Sequence, residues 1–169
     1  MPDNVNGLPL HPLVVHAVVV LLPLAALGVV GMAVRPSWRG RFGVLVVVLA
    51  ALASAAIPVA TSSGESLEHR VGDPGEHAEL GDQLIWFALP LLVAAVALVW
   101  LHRRAARPVD GTTEPTRSTR PGALGMVVAV LAVVVAAANL VQVYRVGESG
   151  AKAVWGDTPA ATAGQGDSD

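Results

Sequence analysis

Histidine is the residue of this chain best equipped for chemistry. Four of the five histidines, His11, His16, His69 and His77, lie in or beside the other connections, away from the two that hold eight of the eleven Lys and Arg residues. A neutral imidazole can ligate haem iron or a divalent metal, carry a proton, or hydrogen-bond a backbone carbonyl. The chain has no cysteine, which excludes disulfides, thiolate metal sites, cysteine-held iron–sulfur clusters and haem attached through thioethers. Histidine, carboxylate and methionine remain as ligands.

The elements that must position these imidazoles are apolar. Of the 169 residues, 53% are hydrophobic and 14% charged, with a mean hydropathy of +0.58, too apolar for an ordinary water-soluble domain. Four runs, 12–34, 42–61, 84–101 and 124–143, contain no Lys, Arg, Asp or Glu. Each is close to the ~20 residues that cross a bilayer as a helix. They predict an all-α fold, a four-helix transmembrane bundle of up-down topology, as a single domain over 1–156. The tail 157–169 is rich in Gly, Ala, Thr, Ser and Asp and reads as disordered, and 109–120 reads as a flexible linker. The first run is expected to be retained, because Met1 to Leu10 carries no positive charge and no small-residue cleavage site follows.

Charge orients the bundle. The connection 35–41 carries three arginines and no acid, and 102–122 carries five arginines against Asp110 and Glu114. The connection 62–83 carries six acids against Arg70 alone. Positive charge in short loops marks the cytoplasmic side, so both termini are expected to be extracytoplasmic in a multi-pass protein of the cell membrane. His11, His16, His69 and His77 then share the extracytoplasmic end, and His102 lies opposite. Trp38, Trp86, Trp100 and Trp155 fall near the expected interfaces, as aromatic-belt residues do. The lipid bilayer is the expected partner. Nucleic acid is not, since the arginines flank membrane runs without interleaved aromatics. Small residues such as Gly28, Gly31, Ala53 and Ser54 permit close helix approach, and Pro23, Pro58 and Pro90 are expected to open local hydrogen bonding. The sequence shows no clear internal repeat.

His16 lies one turn inside the first run if Pro12 is its first helical residue. An ionisable group there is either functional or a packing residue bonded to a carbonyl or to Asn139. His11 and His16 are five apart and would point about 140° from each other on one helix, so His11 is expected at the solvated interface. His77 opens the third helix among acids, either directed into the bundle or part of a charged helix N-terminus. His69 reads as a loop residue. Asn139 and Gln142 share a face at the depth of His16 and are expected to bond across helices. Arg145 is the exception to the charge rule. It is expected to pair with Glu65, Glu68 or Glu148, or with an anionic group such as a haem propionate.

The segments Gly7-Leu8-Pro9-Leu10-His11-Pro12-Leu13-Val14-Val15-His16, Ser63-Gly64-Glu65-Ser66-Leu67-Glu68-His69, His77-Ala78-Glu79-Leu80-Gly81 and Gly147-Glu148-Ser149-Gly150-Ala151-Lys152-Ala153-Val154-Trp155 give the chain a resemblance to a known family. It resembles the bacterial integral membrane proteins of domain of unknown function 2231, from about Gly7 to Trp155. The resemblance implies a four-helix membrane protein and supplies no activity. Relatives joined to redox modules associate the family with electron transfer. Ala17-Val18 stand where many relatives have Phe-Pro, with this chain's proline later, at Pro23.

Two functions compete. In the first, His16 and His77 ligate haem b or a divalent metal at the extracytoplasmic end, with Arg145 as a counter-charge, Asn139 and Gln142 in support, and His11 and His69 as spare ligands. Bis-histidine haem needs opposed rings with nitrogens about 4 Å apart. A membrane or extracytoplasmic redox partner and a homo-oligomer would accompany this role. In the second, the protein is a non-catalytic accessory whose polar residues only fix helix packing. A transporter lacks support in the absence of acids within the runs and of inverted repeats, and a hydrolase lacks a nucleophile elbow.

Overall fold

A computed structural model of the chain describes residues 4–5, 8–71, 75–106 and 122–156. The linker 109–120 and the tail 157–169 expected from composition lie outside the described residues. Four helices make the fold: α1 (Leu10–Val34), α2 (Ser37–Val71), α3 (Glu76–Ala105) and α4 (Ala123–Trp155). A two-residue ladder, Asn4–Val5 against Leu8–Pro9, precedes α1.

The helices alternate in direction. The start of α1 meets the end of α2 where His11 bonds Ala60 O, and the start of α3 meets the end of α4 where His77 bonds Val146 O. At the opposite end, Arg39 near the start of α2 reaches Met32 O near the end of α1. All four helices contain stretches long and apolar enough to cross a membrane. Within those stretches only 17 to 33% of residues are buried inside the protein, so most of the apolar surface faces outward and needs lipid to cover it. Val20, Leu27, Leu52, Val93, Leu131 and Val134 are among the outward-facing residues.

The core is narrow and built from small residues. Leu22, Val29 and Met32 of α1 and Leu91 and Leu98 of α3 are fully buried, against Ala50 and Ala53 of α2 and Ala132 and Ala136 of α4. Glycine sets the closest approaches. A Cβ at Gly28 would lie 2.6 Å from Val46 Cγ2, and one at Gly43 2.6 Å from Val99 Cγ2. Gly28 joins α1 to α2 in this way, and Gly43 joins α2 to α3.

The helices outrun the apolar runs. The 35 residues of α2 correspond to about 52 Å at 1.5 Å per residue, more than the ~30 Å hydrocarbon layer needs. The polar segment 62–71 continues the helix rather than forming a loop, and the hydroxyls of Thr61, Ser62, Ser63 and Ser66 are satisfied by carbonyls about one turn earlier in it. The arginine-rich connection also shrinks. Only Arg35 and Pro36 separate α1 from α2, and Arg39 and Arg41 belong to α2.

Arg39 is the exception among the arginines. It is 6% exposed, and its Nε donates to Met32 O at 2.8 Å. It supplies a donor to one of the last α1 carbonyls, which have no donor of their own inside the helix. Replacing it with Met keeps the stem and removes the charged hydrogen bond, a loss of about 1.5–3 kcal/mol. Arg39→Met is expected to lower the thermal midpoint followed by circular dichroism in detergent, and an unchanged midpoint would show the contact to be dispensable.

Candidate functional site

One end of the bundle gathers His11 from α1, His77 from α3, and Asn139, Gln142 and Ser149 from α4. His11 is the second residue of α1 and His77 the second residue of α3. Each ring leaves its own helix and docks on the helix that follows.

His11 Nδ1 lies 2.9 Å from Ala60 O and 3.3 Å from Ser63 Oγ, on α2. Ser63 Oγ itself donates to Ala60 O at 3.0 Å. Gly64 lies beneath the ring: a Cβ there would be 3.1 Å from His11 Cε1. His77 repeats this on α4. Its Nδ1 lies 3.1 Å from Val146 O and 3.3 Å from Ser149 Oγ, and Ser149 Oγ donates to Val146 O at 3.0 Å. A Cβ at Gly150 would be 3.0 Å from His77 Cε1.

A carbonyl only accepts, so in the neutral imidazole Nδ1 carries the proton and Nε2 keeps its lone pair. Ligating histidines commonly have this arrangement, in which the far nitrogen donates to a carbonyl and fixes the tautomer and ring orientation. Neither Nε2 has a hydrogen-bond partner among the described residues.

Asn139 and Gln142 stand deeper on α4, and both are 1% exposed. Asn139 Nδ2 donates to Phe87 O of α3 at 2.6 Å and Gln142 Nε2 to Leu80 O of α3 at 3.2 Å. Pro90, further along the same helix, has no N–H, and the carbonyl it leaves without a helical donor is that of Trp86, next to Phe87. The cross-helix bonding expected of these amides is therefore present, with α3 as the partner and not His16. Asn139 Oδ1 is buried with no hydrogen-bond partner among the described residues.

His16 is elsewhere. It is exposed, on the outward stripe of α1 that includes Leu13, Val20, Leu24 and Leu27, and its Nδ1 bonds Pro12 O one turn earlier. His16 thus bonds its own helix while His77 docks on α4, and among the described residues the two share no hydrogen-bond partner. His69 lies in the last turn of α2, and its side chain lies outside the described residues. Arg145 is exposed and makes no ion pair among the described residues. Glu148, an expected partner, pairs instead with Lys152 at 2.7 Å, one turn along α4. Among the described residues no three His, Asp or Glu side chains converge as a metal site. His102, at the other end, lies against Gly40.

Sequence reasoning missed the serine, glycine and carbonyl that receive each ring. The signal was present as the two Ser-Gly pairs, 63–64 and 149–150, each opposite a histidine that starts a helix. The profile of a family of predicted membrane proteins matches residues 7–162. No curated protein and no protein of solved structure matches the chain.

Proposed function

The chain belongs to the domain of unknown function 2231 family of predicted membrane proteins, and on that premise we propose that it holds an imidazole-ligated metal centre, haem b or a divalent metal, with His77 as a ligand. One observation carries the reading: the half-buried His77 imidazole sets Nδ1 3.1 Å from Val146 O, so the neutral ring holds its proton on Nδ1 and keeps the Nε2 lone pair. Charge distribution supports placing this end, and both termini, on the extracytoplasmic side. Arg145, exposed nearby on α4 and without an ion pair among the described residues, suits a haem propionate. The role would be electron transfer to a membrane or extracytoplasmic redox partner, and the outward apolar faces leave room for a homo-oligomer. His16 on the outward stripe is the weaker second ligand.

The accessory reading has its own support. Asn139, Gln142 and His77 all tie α3 to α4, as packing residues would.

The test uses the full chain in mild detergent, titrated separately with hemin and with Zn²⁺. A shifted Soret band with hemin, or stoichiometric retained zinc, is expected for the wild type. His77→Gln, which can still donate to Val146 O, is expected to weaken that binding at least about tenfold. If the wild type takes up neither, the cofactor reading is wrong and the accessory reading stands.

A further inference from the structure

The two docked histidines are related by more than their own contacts. His77 follows His11 by 66 residues, and the same offset relates buried positions along α1 and α3: Leu22 with Ala88, Ala25 with Leu91, and Val29 with Ala95. Ser149 follows Ser63 by 86 residues, and that offset relates buried Val46 with Ala132 and Ala50 with Ala136 along α2 and α4. The hairpins α1–α2 and α3–α4 therefore repeat the same order of buried positions, the pattern of two halves related by an internal pseudo-two-fold. Large and small residues exchange across that axis, Leu22 and Leu91 being matched by Ala88 and Ala25.

Packing alone explains the repeated apolar positions. It does not require that both hairpins keep the same four-part arrangement of ring, carbonyl, serine and glycine. The distances agree within 0.2 Å: 2.9 and 3.1 Å to the carbonyl, 3.3 and 3.3 Å to the serine, and 3.1 and 3.0 Å from Cε1 to the glycine Cβ position. In both, the tautomer leaves the Nε2 lone pair uncommitted.

We propose that His11 and His77 are equivalent ligands, related by the internal two-fold, for a metal centre that takes imidazole, haem iron or a divalent cation. This rests on the reading of His77 given above. It replaces His16 with His11 as the second ligand, and Nε2 is the ligating atom in both. Ser63 and Ser149 share the acceptor carbonyl with the ring and fix its rotation, while Gly64 and Gly150 let the ring lie flat on the helix.

The experiment compares wild type, His11→Gln and His77→Gln in mild detergent, each titrated with hemin and with Zn²⁺. Binding weakened at least about tenfold and to the same extent in both variants is the expected result. The hemin and zinc arms identify which centre is held. Loss in His77→Gln with binding intact in His11→Gln would overturn the equivalence and leave the His77 reading standing. No uptake by the wild type would remove both. Should a variant fold poorly, ¹⁵N-histidine spectra of the wild type decide. His11 and His77 are expected to show protonated Nδ1 and bare Nε2, and to shift together on addition of Zn²⁺. A shift of one alone would overturn the proposal.

Discussion

Gly43→Leu is expected to disrupt the bundle. The Cβ alone would sit 2.6 Å from Val99 Cγ2, well inside van der Waals contact, and Leu adds three further carbons in the seam between α2 and α3. Val99 is 8% exposed and its β-branched side chain has few rotamers to retreat into. Helix propensity works the other way by about 0.8 kcal/mol in favour of Leu. Overpacking costs about 1–3 kcal/mol, and more where backbone separation is set by glycine. The net loss is about 3 kcal/mol, or roughly 6–12 °C in the thermal midpoint for a chain of this size. Gly147→Ala gives the opposite sign. It lies inside α4 with nothing within 4 Å of its Cβ position, so the midpoint is expected to rise. Equal midpoints for the two variants would show that glycine does not set the α2–α3 separation.

Gly150→Leu is expected to free His77 without breaking α4. The new Cβ would lie 3.0 Å from Cε1 and 3.1 Å from Nδ1 of the ring, and the rest of the side chain would sweep the space the ring occupies. The ring must leave, and its 3.1 Å bond to Val146 O goes with it. Loss of a neutral hydrogen bond and local overpacking outweigh the gain in helix propensity, for a net cost of about 1–3 kcal/mol. Helicity by circular dichroism is expected to hold. Metal or hemin binding is expected to fall as far as in His77→Gln, since Nε2 is no longer oriented. Gly147→Leu, one turn earlier on α4, is the control and is expected to bind normally. Retained binding in Gly150→Leu would mean that the docked orientation of His77 is not the ligating one.

The four helices were legible in the sequence because hydropathy reports burial in lipid as directly as burial in a core. Their ends were not. The segment 62–71 is polar, and polarity marks where the hydrocarbon layer stops, not where backbone hydrogen bonding stops. Asn139 and Gln142 were readable as cross-helix donors because a buried amide must find an acceptor. Their acceptors, Phe87 O and Leu80 O, were not, since any helix presents carbonyls along its length. His11 was expected at the solvated interface and is instead half-buried against α2, because the spacing between His11 and His16 constrains only their own helix. The repeat stayed hidden for a physical reason. Pairs such as Leu22 with Ala88 conserve summed volume across an axis rather than identity at each position, so residue-by-residue matching fails where packing succeeds.

The two-fold relation also bears on chain order. Residues 72–75 carry the chain from Val71 at the end of α2 to Glu76 at the start of α3. The offsets of 86 and 66 place the equivalents of Val71 and Glu76 at position 157, just beyond α4, and at Leu10, where α1 begins. A junction of about the same four residues would therefore close the molecule into a ring, since α1 and α4 already pack side by side. Which hairpin is made first is then a matter of where that ring is cut, and a permuted chain starting at Glu76 would find every helix with the neighbours it has now.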